Sequence, residues 1–158
     1  MPKASPAAKA ATINNRRARY DYEVLDTYEA GMMLKGPEVK SIREGRATLQ
    51  DSYARVEDNE VFLFNMHIQP YPYSRMELEP LRKRKLLLHH GEIDDIARAT
   101  AEKGVTLVPL KVYFKDGRAK VEIAVARGKR SYDKRQTIAA RDAKREAQRA
   151  LKGDRERD

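Results

Sequence analysis

The chain has 158 residues, 41% hydrophobic and 36% charged, with no cysteine and 33 Lys and Arg against 24 Asp and Glu, a formal net charge of +9. That length allows one ordinary domain with appendages and is too short for two. The missing cysteines exclude disulfides and thiolate metal sites and fit a reducing cytoplasm. No run of about 18 apolar residues offers a membrane helix, and the small, polar stretch from Met1 to Asn15 lacks the apolar centre of a signal peptide.

The excess charge lies at the ends. Residues 1–19 hold five basic side chains and no acid, residues 127–158 hold twelve basic and six acidic, and residues 20–126 hold sixteen basic and eighteen acidic. A near-neutral middle flanked by basic ends is a common layout for RNA binding. A solubilising tail gives the same count.

Residues 1–14, rich in Ala, Lys, Pro and Ser, are expected to be a disordered extension. Residues 15–127 are expected to form the core and residues 128–158 a basic tail. Tyr22 to Glu29 reads as a strand, with Tyr22, Val24 and Tyr28 in apolar register. Gly36-Pro37-Glu38 opens a short helix that Gly45 stops: proline suits a first helical position, where an N–H has no partner anyway, and Glu38 complements the positive helix start. Ala47 to Val56 and Val61 to Ile68 read as strands joined by a turn at Asp58-Asn59. Pro70 to Pro80 is a loop, followed by four cations, Arg82 to Lys85, and then Leu86-Leu87-Leu88. Glu92 to Lys103 reads as a helix, with Ile93, Ile96, Ala97, Thr100 and Ala101 at helical spacing and Gly104 at its end.

Val105 to Phe114 and Arg118 to Ala126 form the clearest hairpin, turning at Asp116-Gly117. In its second arm Ala119, Val121, Ile123 and Val125 alternate with Arg118, Lys120 and Glu122, so one face goes to the core and the other to solvent or a ligand. Five antiparallel strands with a helix between the third and fourth is the order of an OB-fold barrel. The expected fold is therefore mainly β, an OB-fold-like antiparallel β-barrel with two short helices. A split sheet covered by two helices is the alternative. From Ser131 to Leu151 there is neither Gly nor Pro, and the composition favours helix. The apolar stripe of that helix, Ala139, Ala143, Ala147, Ala150 and Leu151, is nearly all alanine. At about 25 cal/mol per Å² it buries too little to dock on a core. Packing supplies most helical stability, so the tail is expected to be unfolded when free and to order on a polyanion.

Standard catalytic signatures are missing: no phosphate-binding glycine loop, no cysteine nucleophile and no histidine pair at metal-binding spacing. His67 lies in a strand pattern, and the adjacent His89 and His90 rarely could converge on one metal. The acids are scattered singly. Nothing in these residues argues for an enzyme, a metal site or a cofactor, and an RNA-processing enzyme would need a metal or a general base that the sequence does not offer. The binding signals are better. Arg82 to Lys85 suits a phosphate backbone, or else is a solvated loop. Asn15-Arg16-Arg17-Ala18-Arg19-Tyr20 sets cations beside an aromatic ring. Lys111, Tyr113, Arg118 and Lys120 lie on the polar faces of the hairpin. Arg127, Lys129, Arg130, Tyr132, Lys134 and Arg135 continue from its end, mixing stacking with charge.

Several strings carry a family resemblance: Tyr28-Glu29-Ala30-Gly31, Gly36-Pro37-Glu38-Val39-Lys40-Ser41, Asp51-Ser52-Tyr53-Ala54-Arg55, Asn65-Met66-His67-Ile68, Arg84-Lys85-Leu86-Leu87-Leu88-His89, Ala126-Arg127-Gly128-Lys129 and Tyr132-Asp133-Lys134-Arg135. In this order the chain resembles the SsrA-binding protein (small protein B) family from about Asn14 to Leu151. The resemblance implies an OB-fold core that binds the tRNA-like domain of transfer-messenger RNA and carries it to bacterial ribosomes stalled without a stop codon. It implies a tail that enters the empty messenger channel beside the decoding centre and becomes helical there. Elongation factor Tu and alanyl-tRNA synthetase are implied as partners through the shared RNA.

Matching motifs make Asn15, Glu29, Leu87 and Lys120 the RNA-contact candidates, with Arg16 and Arg19 beside them. Lys120 would neutralise a phosphate. Glu29 would accept from a 2′-hydroxyl or a base edge. Leu87 is either core or an exposed contact. In the tail Asp133, Lys134 and Arg135 match, Lys129 and Arg130 extend the motif, and Tyr132 stands where some members carry histidine, both being able to stack. The competing reading is a general RNA chaperone or ribosome-associated protein on the same barrel, which would bind many RNAs alike.

Overall fold

The alternation in the last hairpin builds the longest ladder of the protein. In chain order the computed structural model contains β1 (Ile13–Asn14), α1 (Ala18–Asp21), β2 (Tyr22–Met32), α2 (Gly36–Arg43), β3 (Ala47–Thr48), β4 (Tyr53–Glu57), β5 (Glu60–Phe64), β6 (His67–Ile68), β7 (Arg84–Leu87), α3 (His90–Thr100), β8 (Val105–Lys115), β9 (Arg118–Gly128) and α4 (Ser131–Arg157). The structure describes residues 10–129 and 131–157. The strands run in the order β8-β4-β5-β7-β2-β9, and β9 returns to β8, so the sheet closes on itself. Every one of these pairings is antiparallel. This is the expected OB-type barrel, with β7 as a strand that the sequence analysis does not separate from the preceding loop. Both tight hairpins carry positive φ at their two central residues, Asp58 and Asn59 in one and Asp116 and Gly117 in the other. That backbone matches the twist of the flanking strands.

Two apolar layers hold the barrel. Inside lie Val61, Leu63, Leu86, Leu107, Val112, Val121 and Ile123, with Ile42 of α2 and Ile96 of α3 joined to them. Outside, Ala124 and Ala126 of β9 are covered by Ala18 of α1 with Val108 and Leu110. The small alanines let a short helix lie close, so the solvent face expected for this arm ends at Glu122. Leu110 is the extra residue of a bulge between Pro109 and Lys111, and the bulge turns it outward to meet α1. Ile13 and Asn14, expected in a disordered extension, instead pair with Val112 and Lys111, and Ile13 is buried.

α2 is fastened to β7 by a buried ion pair. Glu38 and Arg84 are 3% and 0% exposed. Arg84 donates from Nε and Nη2 to Glu38 Oε2 at 2.9 and 2.8 Å, and its remaining N–H groups reach the carbonyls of Met66 and Pro80. Arg82 bonds both oxygens of the same carboxylate, and the Lys35 N–H donates to Oε1 at 2.9 Å. The other two cations of the Arg82–Lys85 string are also taken: Lys83 by Glu57 at 3.2 Å and Lys85 by Glu60 at 2.7 Å. The four-cation string is thus an internal tie and its flanking surface pairs, and no open phosphate patch.

α4 leaves the barrel at Lys129, whose N–H donates to Asp21 O at 2.8 Å and whose Nζ donates to Arg19 O at 3.0 Å. Residues 138–150 of the helix are exposed throughout. The structure gives this segment as a helix, the form the sequence analysis expects of the ordered tail. Helix propensity shapes it, and no core residue rests on this stretch.

Burial by itself would raise the Glu38 carboxyl, but the bonds from Arg82, the Lys35 N–H and Arg84 outweigh it and hold it below the ordinary carboxylate range. Its contribution to stability is therefore complete above the unfolded-state value of about 4.3 and is lost as pH falls through the lower folded value. Glu38→Ala leaves Arg84 charged and buried and should cost about 3–5 kcal/mol in denaturant unfolding at pH 7. Glu38→Leu with Arg84→Met should cost clearly less, and the double variant should lack this acid-dependent loss.

Candidate nucleic-acid interface

Strand register brings three of the expected contact residues onto one outer face. Gly31 of β2 pairs with Leu87 of β7 on one side and Lys120 of β9 on the other. Lys120 in turn pairs with Tyr113 of β8. One row across the barrel therefore reads Leu87, Gly31, Lys120, Tyr113. The neighbouring row reads Glu29, Glu122, Lys111. Alternation sends Ala30, Leu86, Val112 and Val121 inward, which leaves these side chains outside.

The row is shaped by a missing side chain. A Cβ built on Gly31 would stand 3.4 Å from Leu87 Cβ and 3.8 Å from Lys120 Nζ. Leu87 and Lys120 therefore lean together over bare backbone, and glycine in a strand interior marks such close approaches. Leu87 is 50% exposed, which settles its two readings in favour of an exposed apolar side chain. Lys120 pairs with no carboxylate among the described residues, although acids stand on both sides of it. Glu122 is held by Lys111 at 3.6 Å, and Glu29 by Lys115 at 3.5 Å. Tyr113 donates its hydroxyl to Glu29 Oε2.

These contacts set the ionisation of the face. The Tyr113 hydroxyl is the main reason that the Glu29 carboxyl lies below its ordinary value; slight desolvation opposes the shift, and Lys115 and Lys120 add to it. Desolvation, then the Glu29 carboxylate, pushes the Tyr113 phenol up to about 12. At neutral pH Glu29 is thus an ionised acceptor and Tyr113 a neutral donor, an arrangement that suits hydroxyl and base-edge recognition.

The N-terminal arm extends the face. The Asn15 N–H donates to Leu110 O at 2.8 Å and its Nδ2 to Pro109 O at 2.9 Å. Asn15 thus pins the arm over the β8 bulge. Arg16 and Arg19, both exposed, line a groove with Lys111, Leu110 and Glu122, so the groove continues the second row. The tail candidates stand apart from it. Lys129 is spent on the α1 carbonyls described above, and Arg130 lies outside the described residues. Tyr132, Asp133 and Lys134 fall in the first turns of α4, and Arg135 is exposed. Sequence reasoning missed Gly31 as the floor of the row and Tyr113 as the partner of Glu29. The Ala30-Gly31 pair inside a strand was the available signal for the first. It also missed a second outer surface, where Arg55 lies over the Phe64 ring at 4.9 Å, Lys83 lies over Phe62 at 4.6 Å and Tyr53 stacks on Phe64.

Fold and face together define a small OB-type barrel with an N-terminal arm and a basic C-terminal helix. The chain belongs to the SmpB family: the family's model, described as SmpB protein, matches residues 12–153. An SsrA-binding protein of Pelotomaculum thermopropionicum is 55% identical over 147 residues, covering 92% of this chain and 95% of that one. One from Desulforudis audaxviator is 56% identical over 140 residues, covering 88% and 92%. A solved chain described as "tmRNA-SmpB: a journey to the center of the bacterial ribosome" is 49% identical, with a TM-score of 0.65, covering 80% of this chain and 94% of that one.

The coupling of Tyr113 to Glu29 can be read directly. In an alkaline titration followed by NMR of ring-labelled tyrosine, one resonance should titrate near 12 in the parent protein. It should disappear in Tyr113→Phe. In Glu29→Gln it should move down towards 10.0 without reaching it, because burial remains.

Proposed function

We propose that the protein binds the tRNA-like domain of transfer-messenger RNA and delivers it to stalled ribosomes for trans-translation, acting by binding and not by catalysis. The observation that carries this reading is the row Leu87, Gly31, Lys120 with Glu29 beside it: an apolar contact, a bare backbone, an uncommitted cation and an ionised acceptor within one register step. It offers a folded RNA shape contact, one phosphate site and one hydroxyl site, while Arg16 and Arg19 add charge from the arm. The relatives' name and the solved complex of tmRNA with SmpB support the same partner. On the ribosome the tail residues Lys129 to Arg135 would meet the decoding centre and the messenger channel. Elongation factor Tu and alanyl-tRNA synthetase would be encountered through the shared RNA. The setting is the bacterial cytoplasm, and among the described residues no helix is long and apolar enough to cross a membrane.

The test is affinity for the tRNA-like domain across a range of salt. Lys120→Ala should weaken binding about tenfold and reduce the slope of log affinity against log salt by about one. Lys83→Ala, which removes a cation already paired with Glu57, should leave both unchanged. Equal affinity for unrelated RNAs would replace this reading with that of a general RNA chaperone.

The tail is tested separately. Replacing Asp133, Lys134 and Arg135 by alanine should leave binding of the tRNA-like domain within about twofold and abolish peptide tagging on stalled ribosomes, because the barrel face stays intact. Normal tagging by this variant would remove the tail motif from the mechanism.

A further inference from the structure

Lys120 sits where ordinary surface chemistry would neutralise it. Glu122 is two residues along its own strand, and Glu29 is one step diagonal on β2. A cation flanked by two carboxylates normally pairs with one of them, and a phosphate would then have to displace that partner. Both acids are instead engaged from β8, the strand on the far side of β9. Lys111 takes Glu122 while its ammonium lies 5.3 Å over the Tyr113 ring. Tyr113 reaches across β9 to Glu29, and Lys115 takes the other oxygen.

From this crossing pattern we infer that Tyr113 is a positioning residue for RNA binding: its hydroxyl holds Glu29 away from Lys120 and so keeps Lys120 open to a phosphate. The inference rests on the proposed function for the identity of the RNA. Tyr113 is the stronger of the two restraints on Glu29. Its hydroxyl donates directly to the carboxylate, whereas Lys115 is 60% exposed and its ion pair is long, a kind that contributes little. Without the hydroxyl, Glu29 is free to swing onto Lys120. RNA binding then has to break that pair, and Lys120 no longer contributes a full released counterion.

The experiment is a double-mutant comparison in the full chain, again measuring affinity for the tRNA-like domain against salt. Tyr113→Phe keeps the ring and should keep the thermal midpoint within a few degrees. It should weaken binding about three- to tenfold and reduce the salt slope towards that of Lys120→Ala. Combined with Lys120→Ala it should add little, because both act through the same cation. Tyr113→Phe with Glu29→Gln should restore the slope to at least the parent value, since no carboxylate remains to neutralise Lys120. A role confined to folding or to a direct contact would instead give full additivity with Lys120→Ala and an unchanged slope, and either result overturns the inference. If Lys120→Ala alone has parental affinity and slope, the RNA is not on this face and the inference falls with that reading. If Lys120→Ala weakens binding while Tyr113→Phe does not, only the inference falls.

Discussion

The ion pair between Glu38 and Arg84 is the constraint on which the rest of the arrangement depends. One carboxylate, buried at the start of α2, receives Arg84 and Arg82 and the backbone N–H of Lys35, the residue just before the helix. The geometry leaves no polar side-chain atom of either residue stranded: among the described residues no buried side-chain nitrogen or oxygen lacks a partner. Two charges out of water are worth keeping only when so completely bonded. The consequence reaches the interface directly. Arg84 fixes the inward phase of β7, and because side chains alternate along a strand, that phase places Leu86 in the core and Leu87 outside, opposite Gly31. A slip of one residue would bury Leu87 and expose Arg84.

The same feature explains why β7 is illegible in the sequence. A half-buried strand announces itself by apolar residues facing in and polar residues facing out. In Arg84-Lys85-Leu86-Leu87 the first inward residue is an arginine and the last outward residue is a leucine, so both ends of the strand break the rule. The arginine is allowed in by a carboxylate forty-six residues earlier, which no local pattern reveals. The leucine is out because it falls on the side of β7 opposite the inward Arg84 and Leu86. α3 and the Arg118–Ile123 stretch of the last hairpin keep their periods, and there the sequence reading and the structure agree, Ile96 being fully buried as its spacing requires. The arm behaves like β7: Ile13 pairs at a barrel edge and Ala18 covers two alanines of β9, contacts too sparse to raise a periodic signal in a stretch dominated by Ala, Lys and Pro.

For the interface, motif matching locates Glu29, Leu87 and Lys120, and register explains why three residues so far apart in the chain belong together. Composition could not have done so, since the middle of the chain carries more acid than base. The neighbouring acids are part of how the face works. Glu57, Glu60, Glu122 and Glu29 each hold a cation, and this tempers the barrel's general attraction for polyanions. A uniformly basic barrel would bind any RNA through counterion release alone. A barrel whose cations are mostly paired must depend on the few contacts that a particular shape can make at once.

Lys129 adds the last connection. Its backbone and side chain both donate to α1 carbonyls, and α1 covers the alanines of β9 beside the groove that Arg16 and Arg19 line. The root of the tail and the N-terminal arm are therefore one piece of structure, while residues 138–150 of the helix beyond are exposed. Charge is divided in the same way. Residues 20–126 hold sixteen basic and eighteen acidic side chains, whereas the two ends together hold seventeen basic and six acidic, a charge whose attraction for polyanions is indifferent to sequence and weakens with salt. Anchoring the tail on α1 ties the basic helix to the barrel, so that the segment beside the groove of Arg16 and Arg19 also determines where that helix begins.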